Sequence, residues 1–449
     1  MRLLRIVSLF VLTIPLPAAV LHCGKLIDVE KLSVIEQVSI VVKGSEILRV
    51  AEGYITPEAG EETIDLKSHT CMPGLMDMHV HLAFESNPKT YEEDFRLNPA
   101  DYAFRSAVYA RRTLLAGFTT VRDLGTWYGV SISLKQAIGQ GLADGPRIFN
   151  AGQALATTGG HADFTSGVRA DLMGDPGPKE GVVNGVEDAK KAVRQRYKEG
   201  SDLIKITATG GVLSVAKSGQ NPQFTEEEIR AVVETAKDYD FHVAAHAHGA
   251  EGIKRAMRAG IHSIEHGTLM DDEAIALFKK HGTWWVPTIS AGKFSAEKAE
   301  IPGYYPEVIR PKALAIGSKS QETFRRAYKE GVKIAFGTDL RSMSPRQQRK
   351  RVRLHERSRH ARARDDPLRH AFDGPIAGNR GIGRDHRGGQ GGRHRGNSKR
   401  PAREHRDDAA CIVRHEERPN LQASLRTKRP MDEQDPPVGR CGRAKCSPK

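Results

Sequence analysis

Met72-Pro-Gly-Leu-Met-Asp-Met-His79-Val-His81 reads as a short apolar strand that delivers two imidazoles to its carboxyl end. Side chains alternate across a strand, so His79 and His81, two residues apart, share a face. Neutral imidazole is the commonest protein ligand for zinc and its neighbours, which makes the pair half of a metal site. A lone His-x-His is more often two surface histidines; the rest of the chain decides against that reading.

Four later segments bring residues of matching chemistry to strand ends. Leu203-Ile-Lys-Ile-Thr207 sets Lys205 in an apolar run, and His242-Val-Ala-Ala-His246-Ala-His248 supplies a second His-x-His. Ser263-Ile-Glu-His266 adds an imidazole, and Ile334-Ala-Phe-Gly-Thr-Asp339 a carboxylate. Helical patterns lie between them, such as Thr225 to Lys237, where Thr225 and Glu228 fit a capping box. Strands alternating with helices mean a parallel sheet. The candidate strands are the run before His79, Thr119–Asp123, Arg147–Asn150, Leu203–Thr207, His242–Ala247, Ser263–His266, Trp284–Ile289 and Lys333–Phe336. They suit an α/β fold of the (β/α)8 TIM-barrel type, whose catalytic residues project from the carboxyl ends of its strands. Every candidate ligand sits at such an end.

With these segments in place the chain resembles the amidohydrolase superfamily. Within it the resemblance is to the imidazolonepropionase-like metallopeptidases and amidases, among them prolidase-type dipeptidases, Xaa-Arg/Lys carboxypeptidases and ochratoxin-hydrolysing amidases. It spans roughly Leu21 to Asp339 and rests on PGLMDMHVHL, GFTTVRDLG, TGGHAD, IKITATGGVLS, AAHAHG, SIEHG and AFGTD in combination. It implies metal ligands at His79, His81, Lys205, His246, His266 and Asp339, holding two divalent ions, zinc first among them. It also implies that Lys205 is carboxylated by carbon dioxide and bridges both ions. Physical chemistry agrees: a free ammonium in an apolar strand beside two cations is disfavoured by desolvation and like charge, whereas a carbamate is an anion with two oxygens. Without the histidines, Lys205 would read as a strand-end lysine reaching for solvent.

The resemblance implies hydrolysis of an amide or peptide bond by a metal-bridging hydroxide, since metal binding lowers the pKa of water from 15.7 to about 7. Asp339 would shuttle the proton to the leaving nitrogen. His161, in Thr158-Gly-Gly-His-Ala-Asp163, reads either as an oxyanion and substrate contact or as a loop histidine without a role. His248 shares a face with His246 and reads as a substrate contact or as packing. The substrate class is a small peptide or N-acyl amino acid, as for a dipeptidase or carboxypeptidase. A cyclic-amide hydrolase of the imidazolonepropionase type is the alternative, and the same hydroxide would attack a lactone. Asp123 reads as a hydrogen-bonding support at the barrel mouth rather than a catalytic group. Trp284 and Trp285 read as barrel-wall packing, one of them lining the pocket.

The amino terminus reads as an export signal, residues 1–19. Arg2 and Arg5 precede the apolar run Ile6–Ile14, and Pro15-Leu-Pro-Ala-Ala19 offers a cleavage site. The run is too short for a membrane span, so no stable anchor is expected and the protein is placed in the periplasm or outside the cell. Residues 20–70 alternate like the amino-terminal part of a small β-sandwich, and residues 71–339 form the barrel domain. Five cysteines are too few and too scattered for a disulfide framework. A homo-oligomer is left open.

Charge isolates the rest. Residues 340–449 hold 29 Lys and Arg against 13 Asp and Glu, leaving 40 against 42 in the other residues. The tail has one aromatic residue, Phe372, and cannot bury a core, so disorder is expected. An Arg-rich segment taken at face value suggests nucleic-acid binding. A reading-frame shift fits better. The family-like pattern stops after Asp339, and permitted codons for Leu340–Arg380 and Gly392–Leu421, read one base later, give a helical and a strand-like segment. On that account nucleic acid is not a natural partner, and a third reading is a truncated, nonfunctional product.

Overall fold

Runs of β-branched residues set the first four strands: β1 (Ala19–Asp28), β2 (Ser33–Lys43), β3 (Glu46–Glu52) and β4 (Glu62–Cys71). They form one sheet in the order β3-β2-β1-β4, β1 antiparallel to β2 and parallel to β4. One face of the sheet buries Leu21, Cys23, Val38, Ile40 and Cys71, while Val34, Ile47 and Val50 stay exposed. The computed structural model describes residues 18–317 and 319–339. Most of the export segment and the whole basic tail lie outside the described residues, as do the expectations placed on them. The anticipated sandwich is therefore represented by this one sheet.

The cysteine reading needs correction. Cys23 and Cys71, both buried, form a disulfide with a Cα–Cα distance of 6.0 Å. They lie 48 residues apart in sequence, and the parallel pairing of β1 with β4 carries both to the same edge of one small core. Two cysteines brought together by strand pairing leave no spacing signature.

Seven parallel strands follow: β5 (Leu75–Val80), β6 (Phe118–Asp123), β7 (Arg147–Asn150), β8 (Ile204–Thr207), β9 (Val243–Gly249), β10 (Ser263–Leu269) and β11 (Trp284–Val286). Two seams join their two sheets into a (β/α)8 barrel. At the first, the Leu155 amide donates to the Lys205 carbonyl at 2.8 Å and the Thr207 amide to the Leu155 carbonyl at 3.0 Å. At the second, residues 333–339 run between β11 and β5. Trp285 N–H donates to Lys333 O at 2.8 Å, Met78 N–H to Phe336 O at 2.8 Å, and Asp339 N–H to His79 O at 2.7 Å. The expected eighth strand is thus an extended segment with one ladder bridge, Trp285 to Ile334. The expected strand 284–289 ends at Val286 because Pro287 has no N–H to donate, and a helix begins at Ile289.

Helices on the outside start and stop where their caps dictate. Thr225 Oγ1 accepts from the Glu228 amide at 3.3 Å while Glu228 Oε2 accepts from the Thr225 amide at 2.8 Å, opening helix Glu226–Lys237. Helix Asp272–His281 is capped by Asp271 and ends at Gly282 with φ +65°, a left-handed turn that a β-carbon would strain. Alternation in β8 then sorts the side chains. Ile204 and Ile206 point outward into the main core, where each buried side chain contributes about 1.5–3 kcal/mol. Lys205 and Thr207 point inward and line a cavity.

Candidate active site

That cavity, about 280 Å³, opens at the carboxyl ends of the barrel strands. His79 and His81 end β5, Lys205 comes from β8, His246 and His248 from β9, His266 from β10, and Asp339 from the closing segment; all line it, as does His161. His79 Nε2 and His81 Nε2 lie 3.3 and 3.4 Å from Asp339 Oδ1. His246, His248 and His266 form a second convergent group, all three buried, with donor atoms within 4.8 Å of one another. His248 is thus placed among donor atoms, closer to the chemistry than a packing residue. His266 joins the groups, its ring 5.0 Å from that of His79.

Each ring is hydrogen-bonded through one nitrogen, which sets its orientation, as is typical of metal-ligating histidines. His79 Nδ1 donates to Glu265 Oε2 at 2.9 Å, His81 Nδ1 to the Gly125 carbonyl at 2.8 Å, and His246 Nε2 to the Gly210 carbonyl at 3.0 Å. His248 Nδ1 hydrogen-bonds Thr268 Oγ1 at 3.0 Å and His266 Nδ1 hydrogen-bonds Thr288 Oγ1 at 2.7 Å. Burial holds His79, His246 and His266 well below the ordinary imidazole pKa and His248 down to about 3, so at neutral pH each offers a lone pair. The donor set fits a pair of divalent cations: neutral imidazoles, a carboxylate, and an amine that an added carboxyl group turns into an anion.

Lys205 is buried between the two groups. Its charge acts on His79, His246, His248 and His266 alike, and burial lowers its own pKa to about 8, against the opposing pull of Glu265 and Asp339. Asp123 accepts from the Leu82 amide at 2.8 Å and the Gly125 amide at 3.2 Å, which is the supporting role read from the sequence; burial raises its pKa to about 7. His161 lies with its ring 4.3 Å from that of His246. A β-carbon on Gly211 would fall 2.2 Å from the His161 ring, so glycine at that position is what admits the imidazole. The tryptophans pack in the barrel wall as expected, but the pocket-lining role read for one of them does not hold. Neither lines the cavity: Trp285 packs in the main core with its Nε1 donating to His266 O at 3.0 Å, and Trp284 packs with Met78, Val286 and Ala335.

Several supporting residues carry no sequence signal of their own. Glu265, fully buried, accepts from Arg122 Nη2 at 2.6 Å and Ser263 Oγ at 2.6 Å while receiving His79. Asp77 accepts from Thr338 Oγ1 at 2.6 Å and the Thr338 amide at 3.0 Å, fixing the segment that carries Asp339. His266, Thr288 and Asp339 all have left-handed φ, +70°, +43° and +47°. Such angles cost non-glycine residues on the order of 1–3 kcal/mol and cluster at functional sites. At His266 the turn breaks strand alternation, so that Glu265 and His266, adjacent in sequence, both serve the barrel interior.

Residues 70–365 match the amidohydrolase family. Over 76% of its length the chain superposes on 84% of a Xaa-Pro dipeptidase solved with methionine in its active site, at 51% identity and a TM-score of 0.72. A prolidase complexed with N-methylphosphonate-L-proline follows, at 34% identity, TM-score 0.67, and 76% and 83% coverage. Ochratoxinase of Aspergillus niger is 33% identical over 287 residues, 61% of this chain, which spans 58% of the ochratoxinase.

Proposed function

The chain belongs to the amidohydrolase family, and on that premise we propose that it hydrolyses the amide bond of small peptides or N-acyl amino acids, as a dipeptidase or carboxypeptidase. The observation that carries this reading is the meeting of two donor groups, His79/His81/Asp339 and His246/His248/His266, at one cavity with Lys205 buried beside them. The likeness to a Xaa-Pro dipeptidase and to a prolidase supports the substrate class.

His79, His81 and Asp339 would hold one divalent cation, zinc by preference, and His246 and His266 a second, with Lys205 as a carbamate reaching both. When bound, the cations supply Lewis acidity toward the scissile carbonyl and lower the pKa of a water molecule to about 7. A pKa near 8 leaves part of Lys205 as the neutral amine. That amine would add carbon dioxide and release a proton to solvent, and the resulting carbamate would supply anionic oxygens to the cations. Hydrolysis puts a hydroxyl on the carbonyl carbon and a proton on the departing nitrogen; Asp339 holds that proton between the two events. His161 donates a hydrogen bond to the carbonyl oxygen as negative charge builds there, and His248 contacts the substrate beside it.

The same reading puts the protein outside the cytoplasm. It draws on Arg2, Arg5 and the apolar run after them, and on the Cys23–Cys71 disulfide, which suits an oxidising compartment. The test is turnover by metal-reconstituted protein of a panel containing Xaa-Pro, Xaa-Lys and Xaa-Leu dipeptides, N-acyl amino acids and a cyclic amide. Hydrolysis of the linear amides that disappears in Asp339→Asn is the expected result. Turnover of the cyclic amide alone, or of nothing, sinks the proposal.

A further inference from the structure

The loop that leaves β8, residues 210–219, is tied at its neck and forms part of the cavity wall. The Gly210 amide donates to Asn221 O at 3.0 Å and the Gly210 carbonyl accepts from His246 Nε2. A β-carbon on Gly210 would fall 2.1 Å from Ser218 O, so the two limbs of the neck touch. Between them Val212, Leu213 and Ser214 line the cavity, and Gly211 abuts the His161 ring. A backbone excursion of this kind spends its carbonyls on neither helix nor strand, and each still needs a partner. Three of them converge on one ammonium. Lys312, half-buried on helix Arg310–Gly317, donates to the carbonyls of Ser214 at 2.5 Å, Ala216 at 2.6 Å and Gly211 at 3.3 Å, across 96 to 101 residues of sequence. A lysine ammonium carries three hydrogens, one for each carbonyl, and bonds from a charged donor are the strong ones. The same helix brings Ala313, Ile316 and Gly317 to the cavity, and Gly219 packs so closely on it that a β-carbon there would fall 3.0 Å from Ile316 Cδ1. From the other side Tyr91 Oη donates to Leu213 O at 2.7 Å.

We propose that Lys312 is a positioning residue for the hydrolysis: its ammonium holds residues 211–216 against helix Arg310–Gly317 and so sets the width of the cavity in which the substrate lies. This rests on the amide-hydrolase reading and goes beyond the donor groups, since Lys312 does not itself line the cavity and acts through the loop it holds. The neck, which carries the contact to His246, stays tied by its own hydrogen bonds when Lys312 is lost.

Wild-type protein, Lys312→Met and Lys312→Arg, all metal-loaded, are compared by hydrogen exchange at the backbone amides of residues 211–217, by metal content, and by kcat and KM for Leu-Pro, Leu-Lys and Leu-Leu. In Lys312→Met these amides are expected to exchange roughly tenfold faster or more, with metal content unchanged and KM raised by a similar factor against a smaller fall in kcat. Lys312→Arg, which keeps the charge and the donors, recovers part of both changes. Unchanged exchange overturns the proposal, and so does faster exchange with KM unmoved. A fall in kcat alone marks lost active protein and overturns it as well. Should Lys312→Met not fold, Lys312→Gln, which keeps two N–H donors and drops the charge, is read against the same bounds. Absence of turnover by wild-type protein counts against amide hydrolysis itself, and exchange in residues 211–217 then decides the clamp alone.

Discussion

Between His79 and Arg122 lies Glu265, which receives a hydrogen bond from each. Its carboxylate fixes the His79 tautomer and turns Nε2 toward Asp339. Glu265→Gln keeps the size but removes the charge. It is expected to weaken metal binding about ten- to a hundredfold, the range for lost outer-shell partners, as read by chelator competition; unchanged affinity contradicts this role. A second expectation concerns acid. The His262 ring lies 4.0 Å from that of His242, tilted by 31°, and burial, then His242, lowers its pKa from 6.5 to about 4. Below pH 6.5 the unfolded chain takes up a proton that the folded chain refuses, so stability falls as pH drops through the window from 6.5 to about 4. The buried imidazoles of the site act in the same direction. His262→Phe is expected to show a shallower loss of Tm between pH 7 and pH 5 than the wild-type chain; an identical slope contradicts it. At this scale the histidines of β5, β9 and β10 and Asp339 were legible because they stand toward the ends of apolar runs, and Lys205 because it stands inside one. Glu265 and Arg122 were not, since a charged residue inside a strand reads as half-exposed until its partner, 143 residues away, is placed beside it.

Among the elements, β1 and β4 are joined twice, by their ladder and by the Cys23–Cys71 bond. Closing a chain segment of this length stabilises a domain by typically about 2–4 kcal/mol, so Cys23→Ser is expected to lower the Tm of the amino-terminal sheet, and added reductant to do the same to the wild-type chain. Insensitivity to both contradicts a structural role for the bond. Most strands were legible from apolar runs bounded by turn residues, and the helix after Thr225 from its cap. The errors have physical causes. A proline stopped β11 early, and the closing segment is held by hydrogen bonds to β11 and β5 at both its edges with one ladder bridge, which periodicity cannot distinguish from a full strand.

For the molecule as a whole, barrel closure is what turns scattered residues into a site. His79 and Asp339 are 260 residues apart in sequence, yet the seam between β5 and the closing segment sets the Asp339 amide 2.7 Å from the His79 carbonyl. A parallel barrel puts every strand's carboxyl end at one mouth, so a fold read from alternating strands and helices already predicts that those ends converge. What the sequence left open is His248, read as a substrate contact or as packing, whose donor atom lies within 4.8 Å of those of His246 and His266. The most direct measurement of the central claim is elemental analysis of the purified protein before and after dialysis against a strong chelator, with peptide hydrolysis followed in parallel. Two equivalents of a divalent transition metal per chain, lost together with activity and restored together on adding metal back, is the predicted result. Protein that binds no such metal, or that hydrolyses peptides equally well once stripped, contradicts the account.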